Sequence, residues 1–159
     1  FEPRLHGKSK LDISILWDFL ISFLHTLSFR ILPRRAISFG LVGATGVVIQ
    51  LTATQILLNI SQFEFNEVLP ISVILAASSN YLVNNSLTFR SQRLNGIFLF
   101  KGLLRFWLVA SLPVIANIGL ATTFYNLVAR DTLLAQMSGI FVVYIWNYVA
   151  SSRFVWKTY

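Results

Sequence analysis

Amide and guanidinium side chains occur near one end of the long apolar segments of this chain, where they could bind an anion. The set is Asn80, Arg90, Arg93, Arg105, Asn147 and Arg153. Arginine forms charge-assisted hydrogen bonds that suit phosphate oxygens. Polar groups in hydrocarbon need partners, so the two asparagines are expected to face other helices or a wet cavity. Two interpretations stay open: interhelical hydrogen bonding beside ordinary basic helix ends, or a polar vestibule for a phosphate head group.

A second group of anion-binding side chains lies in the first eleven residues. Arg4, Ser9 and Lys10 flank Gly7, which permits a turn. A guanidinium, an ammonium group and a hydroxyl in one turn could hold an anion where water meets lipid. The alternative is a solvated basic loop that is attracted to anionic lipid.

Side chains for catalysis are scarce. The sequence contains no cysteine, which excludes disulfides, thiolate metal sites and cysteine nucleophiles. Its two histidines, His6 and His25, lie in segments of different character, and its six acidic residues form no paired-carboxylate constellation. No glycine-rich phosphate loop or nucleophile elbow is present. We therefore expect no catalytic residue and no metal ligand in these 159 residues.

The composition places these groups in an integral membrane protein. Apolar residues make up 55% of the sequence and charged residues 12%, and the mean hydropathy is +0.68. A bilayer core of ~30 Å requires ~20 mostly apolar residues per helix. Four stretches meet that length: 36–60, 67–89, 104–128 and 132–156. The sequence predicts an all-α, multi-pass protein of the cell membrane.

The net charge of +7 is concentrated on one side of the predicted spans. The basic residues of that side include Lys8, Lys10, Arg34, Arg35, Arg90, Arg93, Lys101, Arg105, Arg153 and Lys157. The other side carries only Arg130 beside Glu64, Glu67 and Asp131. Lysine and arginine mark the cytoplasmic side of membrane proteins, so both termini are predicted to be cytoplasmic. Basic residues at bilayer edges also argue against nucleic acid as a partner.

The sequence of the membrane portion contains an internal repeat with a spacing of 67 positions. Without a gap, Phe39, Leu41, Val42 and Val47 recur as Phe106, Leu108, Val109 and Val114, and Asn80-Tyr81 recurs as Asn147-Tyr148. Each copy contains two apolar segments, so both copies should enter and leave the bilayer on the same side. The pattern predicts four transmembrane helices arranged as two parallel two-helix repeats.

The segment 12–32 has a different pattern. Ser14, Asp18, Ser22 and His25 form one narrow polar stripe on an otherwise apolar helix. A fifth spanning helix would place Asp18 in lipid at a cost of ~2.5–3.5 kcal/mol. An amphipathic helix in the interface avoids that cost, and Trp17 suits this depth. We favour the interfacial helix, followed after Pro33 by the first span.

Glycines recur at three-residue intervals in the first predicted span. Gly40, Gly43 and Gly46 lie on adjoining faces of a helix. Small residues let a neighbouring helix approach closely. Helix packing is therefore expected here rather than ligand contact.

Two stretches resemble known families. Phe1, Arg4, Gly7, Ser9, Lys10 and Leu11 form an FxxRxxGxSKL pattern, which resembles the end of the catalytic domain of polyprenyl-phosphate glycosyltransferases of the dolichol-phosphate mannosyltransferase type. Residues 38–46, 80–89 and 147–156 are similar to the first-, second- and fourth-helix motifs of the GtrA-like transmembrane domain. That family usually has Arg and Trp where this chain has Asn85 and Leu87.

The resemblance implies three parts. Residues 1–11 would end a glycosyltransferase domain that precedes them, 12–32 would form the interfacial helix, and 33–159 the GtrA-like domain. A first residue other than methionine agrees with a piece of a longer protein. Arg4 and Lys10 would then contact a phosphate of the nucleotide-sugar or lipid, with Ser9 orienting the loop. The preceding domain would bind Mg²⁺ or Mn²⁺ and the nucleotide.

The implied reaction transfers a sugar from a nucleotide-sugar, with GDP-mannose as the first candidate, to dolichyl or another polyprenyl phosphate. The transmembrane domain would anchor the enzyme, present the lipid phosphate and support a homo-oligomer. The alternative is a GtrA-like flippase that moves a polyprenyl-phosphate-linked sugar across the bilayer. Residues 1–11 separate the two, because a free-standing flippase has no need of that loop.

Overall fold

A computed structural model describes residues 13–127 and 132–157, and all regular structure within them is helical. The main helices are α1 (Ile13–Leu27), α2 (Arg34–Ile60), α3 (Phe65–Val83), α4 (Ile97–Leu127) and α5 (Thr132–Ala150). The chain packs α2 against α3 and α4 against α5, which gives two helical hairpins. The amphipathic α1 lies against α2. The predicted features at 1–12 lie outside the described residues.

The starts of α2 and α3 follow local sequence signals. Pro33 precedes α2 with φ −58°, and its fixed φ suits a helix entry. Glu64 and Glu67 form a reciprocal capping box at the start of α3, in which the Glu67 carboxylate accepts from the Glu64 N–H at 3.0 Å. Pro70 lies inside α3, beyond the first turn, and its missing N–H removes one intrahelical hydrogen bond. These signals fix the turn between α2 and α3.

Both hairpins end in the same irregular structure. Asn84–Thr88 continues α3 as a π-helical turn, and Ser151–Val155 does the same after α5. The Phe89 N–H donates to the Asn84 carbonyl at 2.8 Å, and the Trp156 N–H donates to the Ser151 carbonyl at 3.3 Å. These two turns are 67 positions apart, as the sequence repeat requires. The repeat is thus visible in backbone geometry as well as in residue types.

An aromatic core joins the two hairpins near these turns. Phe39 contacts Tyr148 edge to face at 5.7 Å between ring centroids, and the equivalent pair, Phe106 and Tyr81, lies at the same centroid distance. Phe89 and Trp156, which are also equivalent, stack on one another at 4.1 Å. Each hairpin therefore makes equivalent aromatic contacts with the other. This arrangement is what an approximate two-fold axis through the Phe89–Trp156 stack would produce.

The helices follow the predicted segments closely, but membrane crossing has direct support at one of them. Within the described residues, α2 is the helix that is both long and apolar enough to span a bilayer. The remaining three spans, and their arrangement across the bilayer, stay predictions. The helix predicted over 12–32 is shorter than expected, since α1 ends at Leu27.

Candidate functional site: the basic end of the helical bundle

One end of the bundle carries all nine lysine and arginine residues of the described ranges. We call it the basic end: the start of α2, the two π-helical turns, the start of α4 and the adjoining α1. Its described cations are Arg30, Arg34, Arg35, Arg90, Arg93, Lys101, Arg105, Arg153 and Lys157. Among the described residues, Asp18 is the carboxylate of this end, and Glu64 and Glu67 belong to the opposite end. The basic end therefore carries a strong positive field.

The α1 cleft is the first of two clefts at this end. It has a volume of about 360 Å³ and lies between α1, the start of α2 and the first π-helical turn. Asp18 on α1 forms an ion pair with Arg90, with 2.9 Å between Oδ2 and Nη1. The polar stripe of α1 therefore faces the protein here. Large apolar side chains of α1, such as Phe19 and Phe23, are exposed, as an interfacial helix requires.

A chain of hydrogen bonds fastens α1 to the bundle. The Trp17 indole N–H donates to the Ser38 hydroxyl at 3.0 Å, and that hydroxyl lies 2.6 Å from the Thr88 hydroxyl. Thr88 in turn donates to the Asn84 Oδ1 at 2.7 Å. Ser38, Thr88 and Asn84 are buried. A buried polar group without a partner is costly, so the docked position of α1 is tied to the packing of α2 and the first π-helical turn.

The Asp18–Arg90 ion pair is expected to contribute little by itself, because the two side chains are 50% and 53% exposed. Exposed pairs are worth about 0.2–1 kcal/mol and are screened by salt. Asp18→Asn should therefore lower the free energy of unfolding by less than about 1 kcal/mol at low salt, with a smaller effect at high salt. Thermal unfolding in detergent at two salt concentrations, with Arg93→Gln as control, checks this. A loss that is large and independent of salt would contradict it.

The α5 cleft lies between the two hairpins and has a volume of about 510 Å³. Its lining residues are Arg35, Phe89, Gln92, Tyr148, Val149, Ser152, Arg153 and Lys157. Three of these are cations, and none of the described lining residues is acidic. The Arg35 Nη2 also donates to the Ser91 hydroxyl at 3.0 Å, which holds that guanidinium between the two clefts.

The equivalent groove between α3 and α4 is packed, whereas the groove between α5 and α2 forms the α5 cleft. The Asn85 side chain donates to the Leu94 carbonyl at 3.0 Å and accepts from the Leu94 N–H at 2.9 Å. Its Oδ1 also accepts from the Trp156 indole N–H at 3.0 Å. Leu94 is buried against Tyr81 and Gly102. Asn85 thus clamps the connection that precedes α4.

Two equivalent asparagines lie deeper in the bundle. The Oδ1 atoms of Asn80 and Asn147 are both buried without a hydrogen-bond partner, and Asn80 packs directly against Gly46. By contrast, Asn84 and Asn85 are satisfied by contacts within the protein. Hydrogen bonds within the protein therefore account for Asn84 and Asn85. The Oδ1 atoms of Asn80 and Asn147 can each still accept a hydrogen bond.

The structure separates the residues proposed to bind a head group. Arg90 lines the α1 cleft, Arg153 lines the α5 cleft, and the exposed Arg93 lines neither. Arg105 has a buried Nη1 on α4. Asn80 and Asn147 line neither cleft. Arg4, Ser9 and Lys10 lie outside the described residues.

Sequence reasoning missed several residues of the basic end. Arg35 and Lys157 were assigned only to membrane topology, although both line the α5 cleft. The repeat held a signal that could have identified Arg35, because Arg35 stands where the second copy has Gly102. A cation in place of glycine at an equivalent position of the repeat gives that position the ability to bind an anion. The structural roles of Ser38 and Thr88 carried no sequence signal of comparable strength.

A helical bundle with one helix long and apolar enough to span a bilayer, exposed apolar side chains and a basic end is typical of a membrane domain. The family model for the GtrA/DPMS transmembrane domain matches residues 38–156, and the chain belongs to this family. No curated protein sequence matches the chain. The family assignment places the protein in a membrane and agrees with a role as an anchor or as a flippase.

Proposed function

We propose that this chain is the membrane anchor of a polyprenyl-phosphate glycosyltransferase and presents the lipid phosphate at the cytoplasmic face. The donor is a nucleotide-sugar, with GDP-mannose as the first candidate, and the acceptor is dolichyl or another polyprenyl phosphate. In this proposal four helices span the membrane as two repeats, and both termini are cytoplasmic. A catalytic domain that precedes residue 1 binds the nucleotide and Mg²⁺ or Mn²⁺.

The observation that carries this proposal is the docking of α1 on the basic end. Trp17 and Asp18 attach α1 to Ser38 and Arg90, and residues 1–11 precede α1 directly in the sequence. In this proposal Arg4, Ser9 and Lys10, which precede α1 in the sequence, act together with this cation-rich surface. A nucleotide-sugar and a lipid phosphate are both anions, and a positive field raises their local concentration. The anchor would thus bring donor and acceptor to one place.

Transfer of label into lipid tests the proposal. Membranes that contain the full-length parent protein are supplied with labelled GDP-mannose or UDP-glucose, polyprenyl phosphate and Mg²⁺ or Mn²⁺. Label in the lipid extract is the expected result, and the donor that gives it identifies the sugar. Folded protein that labels no lipid with either donor would overturn the glycosyltransferase proposal.

Arg4→Ala in that protein should lower the transfer rate about tenfold, which corresponds to one lost charge-assisted contact of about 1.4 kcal/mol. Membrane insertion should be unchanged, because Arg4 precedes the apolar segments. Lys8→Ala is the matched control, since Lys8 lies in the same loop but outside the FxxRxxGxSKL pattern. Equal rates for wild type and Arg4→Ala would remove the functional role of the loop.

A flippase is the second candidate, and the unpartnered Asn80 and Asn147 amide oxygens favour it. Two equivalent polar groups inside the bundle could contact the hydroxyls of a sugar as it crosses. The test uses vesicles that contain this chain and a fluorescent polyprenyl-phosphate-linked sugar. Translocation would be supported if an external quencher reached lipid that was first in the inner leaflet, and if Asn80→Leu abolished that access. No movement above that in empty vesicles would exclude it.

A further inference from the structure

We infer that the α5 cleft is a binding site for a phosphate monoester at the membrane surface, formed by Arg35, Arg153 and Lys157. This inference rests on the proposed function for its physiological ligand, a polyprenyl phosphate. The binding chemistry itself follows from the cleft alone. The cleft places three cations around one space of about 510 Å³.

The charge balance distinguishes this cleft from its neighbour. The α1 cleft is lined by the cations Arg34, Arg35 and Arg90 and by one carboxylate, Asp18, which lies 2.9 Å from Arg90. Among the described residues that line the α5 cleft there is no carboxylate. Cations on a concave surface repel one another, and an anion relieves this repulsion. The described lining of the α5 cleft is therefore more positive by one charge than that of the α1 cleft.

The neutral lining residues complete the chemistry of the site. Gln92 and Ser152 can donate hydrogen bonds to phosphate oxygens, and Tyr148 adds aromatic surface. Arginine offers a planar fork of donors to phosphate, and lysine adds a compact charge. Such a site takes a small, highly charged head group with an apolar chain attached.

The equivalent groove lies between α3 and α4 and has a different lining. There, Leu94 packs beside Tyr81 and Gly102 and is fixed by Asn85. Around the α5 cleft, Arg35 takes the position of Gly102, and Ser152 takes that of Asn85. A cation and a hydroxyl therefore replace a glycine and an amide at two equivalent positions.

The number of cations predicts which phosphates bind. A phosphate monoester carries about −1.5 to −2 charges at pH 7, with a second pKa near 6, whereas a diester carries a single charge. Three cations therefore favour the monoester. Binding should weaken at high salt and also below about pH 6, where the monoester takes up a proton.

The test measures binding by this chain, so it does not depend on glycosyl transfer. The purified chain in neutral detergent is titrated with a radiolabelled isoprenyl monophosphate, and phosphatidylglycerol serves as the diester competitor. Lys157→Gln and Arg153→Gln should each weaken monophosphate binding about fivefold, as expected for one partly exposed charge-assisted contact of about 1 kcal/mol. Arg93→Gln, an exposed cation that lines neither cleft, should change binding less than about twofold.

Several outcomes decide the inference. Selective monoester binding that depends on Arg153 and Lys157 supports the site. Competition by inorganic phosphate would then assign the site to the phosphate group alone, and its failure would show that the lipid chain is also recognised. Equal binding of diester and monoester would overturn the inference, as would an equal loss in Arg93→Gln. Monoester binding without glycosyl transfer by the parent protein would remove only the proposed function.

Discussion

Trp156→Ala is expected to destabilise the fold by about 3–5 kcal/mol, the range for removing a large aromatic side chain from a packed core. Trp156 is 1% exposed and lies at the centre of the aromatic core. It stacks on Phe89 and contacts Phe106 edge to face at 6.0 Å. Its indole N–H also donates to Asn85, which clamps the Leu94 backbone. Truncation therefore removes packing between the hairpins and also weakens the hydrogen bonding of Asn85 to the Leu94 backbone.

Two substitutions separate these contributions and provide the control. Trp156→Phe keeps an aromatic ring, as Phe89 has at the equivalent position, and should cost about 1 kcal/mol for the lost hydrogen bond plus a smaller packing term. Trp146→Ala removes the same side chain from a site that is 45% exposed and should cost far less. Unfolding in detergent, followed by helical circular dichroism, compares all three. Equal losses for Trp156→Ala and Trp146→Ala would show that the stacked core does not join the hairpins.

The helix boundaries were largely predictable because their causes are local. Long apolar stretches and the breaker Pro33 predicted the helical segments to within a few residues when the π-helical turns after α3 and α5 are included, apart from the earlier start of α4 at Ile97. The end of α1 was missed. Phe29 and Arg30 adopt positive φ values of 52° and 62°, and the Arg30 N–H donates to the His25 carbonyl at 2.9 Å. Glycine usually marks such an ending, and none is present here.

The π-helical turns and the two clefts were not predictable from one sequence. A π-helical turn depends on what packs against it, and here the rings after each turn, Phe89 and Trp156, stack on one another. That contact joins residues far apart in the sequence. The basic end was predictable from charge alone, because basic residues cluster at the same ends of successive segments. Which cations share a cleft depends on helix packing, and this is why Arg153 was identified and Arg35 was not.

Gly46→Val should destabilise the α2–α3 packing by about 1–3 kcal/mol, as insertion of methyl groups into a filled space does. Gly46 is buried, and a Cβ at this position would lie 2.6 Å from the Cγ of Asn80. The Asn80 amide would have to move, and its Oδ1 is already buried without a partner. Thermal unfolding in detergent measures the loss.

Gly43→Val is the matched control, because a Cβ at Gly43 meets nothing within 4 Å. Valine forms helix slightly better than glycine, so this variant should be neutral or slightly stabilising. The double variant Gly46→Ala/Asn80→Ala should lose less stability than the two single losses together, because shortening Asn80 removes the collision. If Gly46→Val and Gly43→Val unfolded alike, Asn80 would not be held against α2. The Asn80 amide could then rotate to another position, and its unpartnered Oδ1 would no longer support a polar path through the bundle.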